Sequence, residues 1–430
     1  ASFGRGVAQR IRRQSEMQNR QEYEKETFYG DALFQALKKL MRWGDQRFLD
    51  KLKFENAELR FQERRNERTQ ALKKMSLSRA EPDFVDLLSA KTQWKLKDEV
   101  PPKAKPLQTL LIKSDAYLFK LGPVGIYLLD LIMAACPDSV YLHAGKTFED
   151  MQAYVARADQ GDGYEIMDAV SLDTNVRGAG LRLMVCVMQH FGIPPDLIQF
   201  YLDDKLNFHT RSIQLGLMTF SGEIFTWLGN TLYTLAREAL KYDLGPTDRI
   251  MSSGDDICKF GPEKATGVEW EKYREFDTMG EKRERPSRGE FCSYTIKKGY
   301  IFKNPIILYR RLRGQINMGK LDDVYDSYYL HFLTFWQLGD VEGILTESEV
   351  EHVSVMARLF FNLRRQANTH LKVDWSKVDV GNSETNIATI VLESFVEGFQ
   401  LLERAVDVQM PLEAQYTREN VETLTPDFDD

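Results

Sequence analysis

Gly254-Asp255-Asp256 is the group whose residue types most invite chemistry, flanked by short apolar runs from Arg249 to Ser253 and from Ile257 to Phe260, as in a tight hairpin. A turn between buried strands holds carboxylates rigidly at the edge of a cleft, where their oxygens suit divalent cations. Alone the tripeptide says little, since average residue usage yields it by accident in on the order of one chain in ten of this length. Upstream stand Ser221-Gly222, Thr226 and Asn230-Thr231, and 22 positions then separate Thr231 from Gly254. Thr226 and Asn230, four apart, share one face of a predicted helix over Gly222 to Leu240, with Ser221 at or near its N-cap, so their polar tips can converge on one ligand.

The pattern S-G-x3-T-x3-N-T-x22-G-D-D resembles the signature of the RNA-dependent RNA polymerases of positive-strand RNA viruses at every fixed position. By residue frequencies a chance match is below about one in a million. Such a polymerase drives in-line attack of a 3'-hydroxyl on an α-phosphate with two Mg2+ ions, or Mn2+ in their place. Carboxylates on adjacent strands would hold the ions: Asp255 with its neighbour Asp256, and Asp168 at the end of a predicted strand that starts at Tyr164. The resemblance gives Asp168 and Asp173 the motif A roles, the first as metal ligand and the second as inspector of the incoming ribose. Paired with Asn230, Asp173 would engage the 2'-hydroxyl that marks a ribonucleotide.

The basic ribbon Lys91 to Lys105, broken at Pro101-Pro102 and followed by Gln108-Thr109, looks like motif F. There Lys95, Lys97, Lys103 and Lys105 would draw in the triphosphate and neutralise the leaving pyrophosphate. Phe291-Cys292-Ser293 resembles motif E, which supports the primer terminus, and Lys282 lies near the family's general-acid lysine. The resemblance spans about Lys91 to Arg313, and its details point to the tymovirus-like and flexivirus-like branches of the alphavirus-like supergroup. Motif A departs from the usual Phe-Asp-x-Ser-Gln, reading Leu172-Asp173-Thr174-Asn175, yet both carboxylates survive.

To position these residues the resemblance implies an α+β right-hand fold of fingers, palm and thumb with an antiparallel palm sheet. Residues 1–89 would form a basic helical N-terminal region, 90–163 fingers with motif F, 164–322 the palm with an inserted fingers segment, and 323–430 a helical thumb and acidic tail. Apolar periodicity predicts helices at Leu33 to Met41, Leu181 to Phe191, Tyr328 to Leu338, Val350 to Arg365 and Ile387 to Val406. Lys205 to Thr219 alternates as a strand does, and Phe291 to Thr295 with Tyr300 to Leu312 suggests a second hairpin. Gly178-Ala-Gly180 lacks the third glycine of a dinucleotide fingerprint and reads as close packing at a helix start.

With 430 residues, 43% hydrophobic and 28% charged, the chain is long enough for several lobes and is neither collagenous nor disordered in composition. Its net charge of -7 hides an asymmetry: residues 1–80 hold 19 Lys and Arg against 11 Asp and Glu, and residues 374–430 hold 3 against 13. The basic N-terminal region suits either helices with solvated charged faces or an RNA-facing surface, and the resemblance implies an RNA template and nascent RNA, with nucleoside triphosphates as substrates. Leu121 to Cys136, cut by Asp130, is shorter than a bilayer span and reads as a buried helix, leaving no intrinsic transmembrane segment. Cys136, Cys186, Cys258 and Cys292 form no C-x-x-C pair, which favours reduced thiols inside a cell. A start at Ala1 without a signal pattern suggests a fragment cut from something longer, which the resemblance would make a viral replication polyprotein working in the host cytoplasm, including at membrane-associated replication complexes. Two alternatives stand beside the polymerase. A reverse transcriptase would carry an aromatic residue where Ser253 stands and a bulky gate near Asp173, and a non-catalytic RNA-binding scaffold would have no need of every metal-binding Asp.

Overall fold

Ser15 opens the first helix with a capping box, its hydroxyl accepting from the Gln18 amide while the Gln18 side chain returns to the Ser15 N–H. The computed structural model describes residues 11–74, 87–90, 109–210, 213–337 and 343–363. The chain divides into two compact units, Ala1–Ile301 and Phe302–Asp430. Lys95, Lys97, Lys103, Lys105 and the helix expected over Ile387 to Val406 lie outside the described residues.

In the first unit, helix α1 (Glu16–Leu40) buries Leu33, Leu37 and Leu40 of the predicted periodic stripe and, ahead of it, Tyr29. Next come α2 (Lys51–Lys74) and an antiparallel ribbon of β1 (Leu87–Ala90) and β2 (Thr109–Ile112). Helix α3 (Asp115–Ala134) is the helix expected here, begun six residues ahead of Leu121, and half of its apolar stretch is buried inside the protein. Ala116–Ala134 has the length and apolar composition to cross a membrane. Asp130 does not interrupt it, because that carboxylate turns outward to pair with Arg60 while Leu121, Val124, Leu128 and Ile132 enter the core.

β3 (Val140–Leu142), α4 (Phe148–Ala158), β4 (Tyr164–Val170), a short α5 (Leu172–Asn175), α6 (Gly178–His190), α7 (Pro195–Leu206) and α8 (Thr226–Lys241) follow. At the start of α6 a Cβ on Gly178 would stand 2.7 Å from the Glu22 carbonyl oxygen, so the glycine there serves the close packing expected of it. Then come β5 (Arg249–Ser253), β6 (Asp256–Phe260), a 3-10 turn at Val268–Lys272 and β7 (Gly280–Glu284).

The main sheet has the order β3-β5-β6-β4-β7. β5, β6, β4 and β7 pair antiparallel, in keeping with the antiparallel sheet expected around Asp168 and Asp255, and at one edge β3 runs parallel to β5. Alternation along each strand divides the two faces: Met167, Ile250 and Ile257 join the helical core, whereas Tyr164, Met251 and Cys258 join a second core with Tyr154 of α4. That second core also takes in Phe291 and Ile296 from β8 (Gly289–Phe291) and β9 (Tyr294–Lys297), which with β10 (Tyr300–Lys303) make a three-stranded sheet.

Two further expectations change. The run from Lys205 to Thr219 is not a strand: Lys205 and Leu206 end α7, and the described residues beyond them form a loop with a bridge between His209 and Gln214. Its apolar residues Phe208, Leu215 and Met218 join Phe220, Ile11 and Leu111 in a small core. Nor does a strand continue to Leu312. It stops at Lys303, where Asn304 caps the amides of Ile306 and Ile307 and Pro305 starts α9 (Pro305–Asn317). In the second unit, α9, α10 (Leu321–Gln337) and α11 (Glu347–Leu363) close around Phe302, Leu312, Tyr325, Phe332, Met356 and Phe360.

Candidate active site

Strand register brings the acidic residues together. Asp168 stands opposite Asp256 in the β4–β6 pair and opposite Lys282 in the β4–β7 pair. The Ala169 amide donates to the Asp255 carbonyl at 3.3 Å, so the hairpin tip lies beside Asp168 although about 87 residues of chain separate them. Asp168 falls within β4 and not at its end, since the strand runs on to Val170. Burial and the nearby Asp255 charge raise the Asp168 pKa, and Lys282 opposes the shift. Burial, then Asp255, push Asp256 up to about 6, with a hydrogen bond from Cys292 acting the other way. Cys292 sits at the β8–β9 turn with Ser293, both at positive φ, so the element resembling motif E reaches the second aspartate of the hairpin.

These mutually repelling carboxylates form the kind of oxygen set that a hard divalent cation relieves. Among the described residues no group of three or more His, Cys, Asp or Glu closes into a metal cage.

Helix α8 clamps the hairpin. The Gly254 amide donates to Thr231 Oγ1 at 2.8 Å, and Thr234 Oγ1 donates to the Gly254 carbonyl at 2.9 Å. Trp227 Nε1 donates to Ser253 Oγ at 3.2 Å. Thr234 and Trp227 were not among the residues singled out by sequence; their signal is the spacing of polar groups along the buried face of α8.

Asn230 and Asp173 meet as the sequence pattern implied: Asn230 Nδ2 donates to Asp173 Oδ1 at 2.8 Å. The Thr226 hydroxyl donates to the Phe220 carbonyl and thereby holds the loop ahead of α8. Ser221 is not the N-cap of α8, a position that Phe225 occupies. Its carbonyl instead accepts from the Leu111 amide at 2.9 Å, bridging the loop to β2. Next to it Gly222 has φ 110°, and a Cβ there would stand 2.2 Å from the Leu111 carbonyl oxygen, so only glycine fits the crossing.

The departure in motif A also has a local account. Ser171 adopts the left-handed conformation, and Thr174 Oγ1 donates to its carbonyl at 2.9 Å. Asn175 Nδ2 donates to the same carbonyl at 2.9 Å while its Oδ1 accepts from Thr278. Thr174 and Asn175 thus fasten the turn that presents Asp173.

Beneath the site, on the face of the sheet that meets α8, lies an ionic network. Arg237 pairs with Asp277 at 2.6 Å and Glu281 at 2.5 Å; Arg283 pairs with Glu238 at 2.6 Å and also with Glu165; Lys259 bridges Glu165 at 2.7 Å and Glu238 at 3.0 Å. Burial opposes ionisation of Glu238, yet Lys259 and Arg283 hold its pKa below the ordinary value. Glu165 is likewise buried and likewise held low by Lys259 and Arg283.

Residues 26–327 match the sequence family described as "RNA dependent RNA polymerase". The chain is 27% identical over 84% of its length to the genome polyprotein of Apple stem grooving virus (strain P-209). It is 27% identical over 63% of its length to the RNA-directed RNA polymerase of Apple chlorotic leaf spot virus (isolate apple), and 31% over 65% to the non-structural replication polyprotein of Ononis yellow mosaic virus. It covers 17%, 14% and 16% of those three proteins, so it spans about one sixth of relatives that are mostly replication polyproteins.

Proposed function

The chain belongs to the RNA-dependent RNA polymerase family, and from that premise we propose that it copies RNA by two-metal-ion nucleotidyl transfer centred on Asp168 and Asp255. The observation that carries this reading is the register that sets Asp168 across from Asp256, with the Asp255 backbone bonded alongside.

Asp168 and Asp255 would hold Mg2+, with Mn2+ as a substitute, and Asp256 would adjust the charge of the pair. Bound there, the cations would stabilise the attacking and leaving oxygens of the phosphoryl group. The chain's own groups do the rest. Asp173 and Asn230 orient the ribose, and their pairing favours a ribonucleotide over the deoxynucleotide of a reverse transcriptase. Thr231 and Thr234 keep the hairpin, and with it Asp255, in place. Lys282, opposite Asp168, is the candidate to pass a proton from its Nζ to the departing pyrophosphate. Lys95, Lys97, Lys103 and Lys105 would gather the triphosphate.

In this reading the main sheet is the palm, residues before 164 contribute fingers, and the helices after residue 323 belong to a thumb. RNA, nucleoside triphosphates and other domains of a replication polyprotein are the partners. A primer-extension assay on a homopolymeric RNA template, with Mg2+ and with chelator, tests it. Template-directed, metal-dependent incorporation is expected, and its absence under both conditions would overturn the reading.

A further inference from the structure

Thr219 lies just ahead of the Ser221-Gly222 element, and both its backbone and its side chain reach the turn that carries Asp173. Its amide donates to the Asp173 carbonyl at 2.9 Å. Its hydroxyl stands 2.9 Å from Asn230 Oδ1 and 3.2 Å from Asp173 Oδ1, completing a triangle with the Asn230 to Asp173 bond. We propose that Thr219 is a positioning residue for sugar selection, fixing Asn230 as a donor and Asp173 as an acceptor toward the 2'-hydroxyl of an incoming ribonucleotide.

A threonine hydroxyl carries one proton, and a side-chain amide can turn its oxygen and nitrogen ends with little change of shape. With the Thr219 proton on Asn230 Oδ1, the amide oxygen is occupied and the Nδ2 end faces Asp173. The reversed amide would set its oxygen against the carboxylate and lose that bond. What the pair then presents is one N–H donor beside a carboxylate acceptor, which complements a hydroxyl and cannot be satisfied by a C–H. The hydroxyl is itself held in place, because Lys205 Nζ donates to the adjoining Met218 carbonyl at 2.6 Å and pairs with Glu223 at 3.1 Å across the same loop.

The inference rests on the polymerase reading, and single-turnover incorporation of ribo- and 2'-deoxyribonucleotides opposite the same template base by the full chain separates the two. Thr219→Val keeps the shape and the backbone bond to Asp173 but removes the proton. The ratio of ribonucleotide to deoxyribonucleotide incorporation should fall about 5- to 10-fold, the effect of one hydrogen bond. Thr219→Ser, which restores the hydroxyl, should bring the ratio back to within about twofold of the parent. Should thermal unfolding show that the valine variant does not fold, Thr219→Ala carries the same expectation. An unchanged ratio in an active valine or alanine variant, with both nucleotides slowed equally, overturns the inference and leaves the polymerase standing. A serine variant as indiscriminate as the valine one overturns it too. A parent chain that incorporates neither nucleotide removes the polymerase reading and this inference with it.

Discussion

Asn230 Nδ2 and Asp173 Oδ1 are joined by a 2.8 Å hydrogen bond between side chains 57 residues apart in sequence. A deoxynucleotide would leave these groups without the partner a 2'-hydroxyl gives them, at about 1 to 3 kcal/mol. Asn230→Ala should therefore lower the ribonucleotide preference by about 5- to 150-fold, chiefly through ribonucleotide use, in single-turnover assays. An unchanged preference would remove the sugar-sensing role and leave the metal site untouched.

Asp255→Asn removes a metal ligand's charge and almost no volume. Nucleotide incorporation should be abolished while RNA binding, followed by filter retention or anisotropy, stays near that of the parent. Wild-type-like turnover by this variant would sink the assignment.

Gly222→Ala places a Cβ 2.2 Å from the Leu111 carbonyl oxygen at a φ of 110°. Neither neighbour can give way cheaply, because the obstructing atom is backbone. A loss of about 1 to 3 kcal/mol in unfolding free energy is expected, with activity falling further as the Ser221 bridge to β2 opens. Denaturant titration checks the first part, and parent-like stability would show that the crossing can relax.

Glu238→Gln leaves Lys259 and Arg283 facing a neutral group inside the protein, and should cost about 3 to 5 kcal/mol in unfolding experiments. The carboxyls of Glu165, Glu238 and Glu281 all titrate below the ordinary glutamate value because their cationic partners outweigh burial. Groups lowered on folding contribute their full stabilisation above the unfolded-state value, near 4.5 for glutamate, and lose it as pH falls through the folded values. Stability should hold from neutrality down to that point and then drop, and the glutamine variant should show a shallower acid decline. Equal declines in the two proteins would assign acid unfolding to other groups.

Charge along the chain yields a further expectation. If residues 1–80, with 19 basic against 11 acidic side chains, face RNA, affinity should weaken steeply with added salt despite the acidic total. A flat response would make those charges merely solvated.

The parts of the site that were legible in the sequence are those fixed by short spacing. Thr226, Asn230 and Thr231 sit on one helix at set intervals, Asp255 and Asp256 share one hairpin, and Asp168 precedes Asp173 by five residues. What sequence could not show depends on partners remote in the chain. Ser221 looks like a helix cap, yet its carbonyl is taken by Leu111, 110 residues earlier. The alternation from Lys205 to Thr219 satisfies a strand pattern, but among the described residues its pairing is an internal bridge from His209 to Gln214, and Lys205 turns inward to Glu223. The helix over Ala116–Ala134 runs on past Asp130 because that charge lies on the side where Arg60 stands, a partner remote in the chain.

The ionic network beneath the sheet also bears on how such a chain can diverge. Glu238 answers to Lys259 and Arg283 together, and Arg283 answers in turn to Glu165 and Glu281. No single member can change without stranding a buried charge elsewhere, so viable lineages must alter these positions jointly or leave them alone. Across related sequences the network should behave as one inherited character, with compensating exchanges between α8, β4, β6 and β7, while exposed residues of α2 such as Leu52 and Leu59 drift freely.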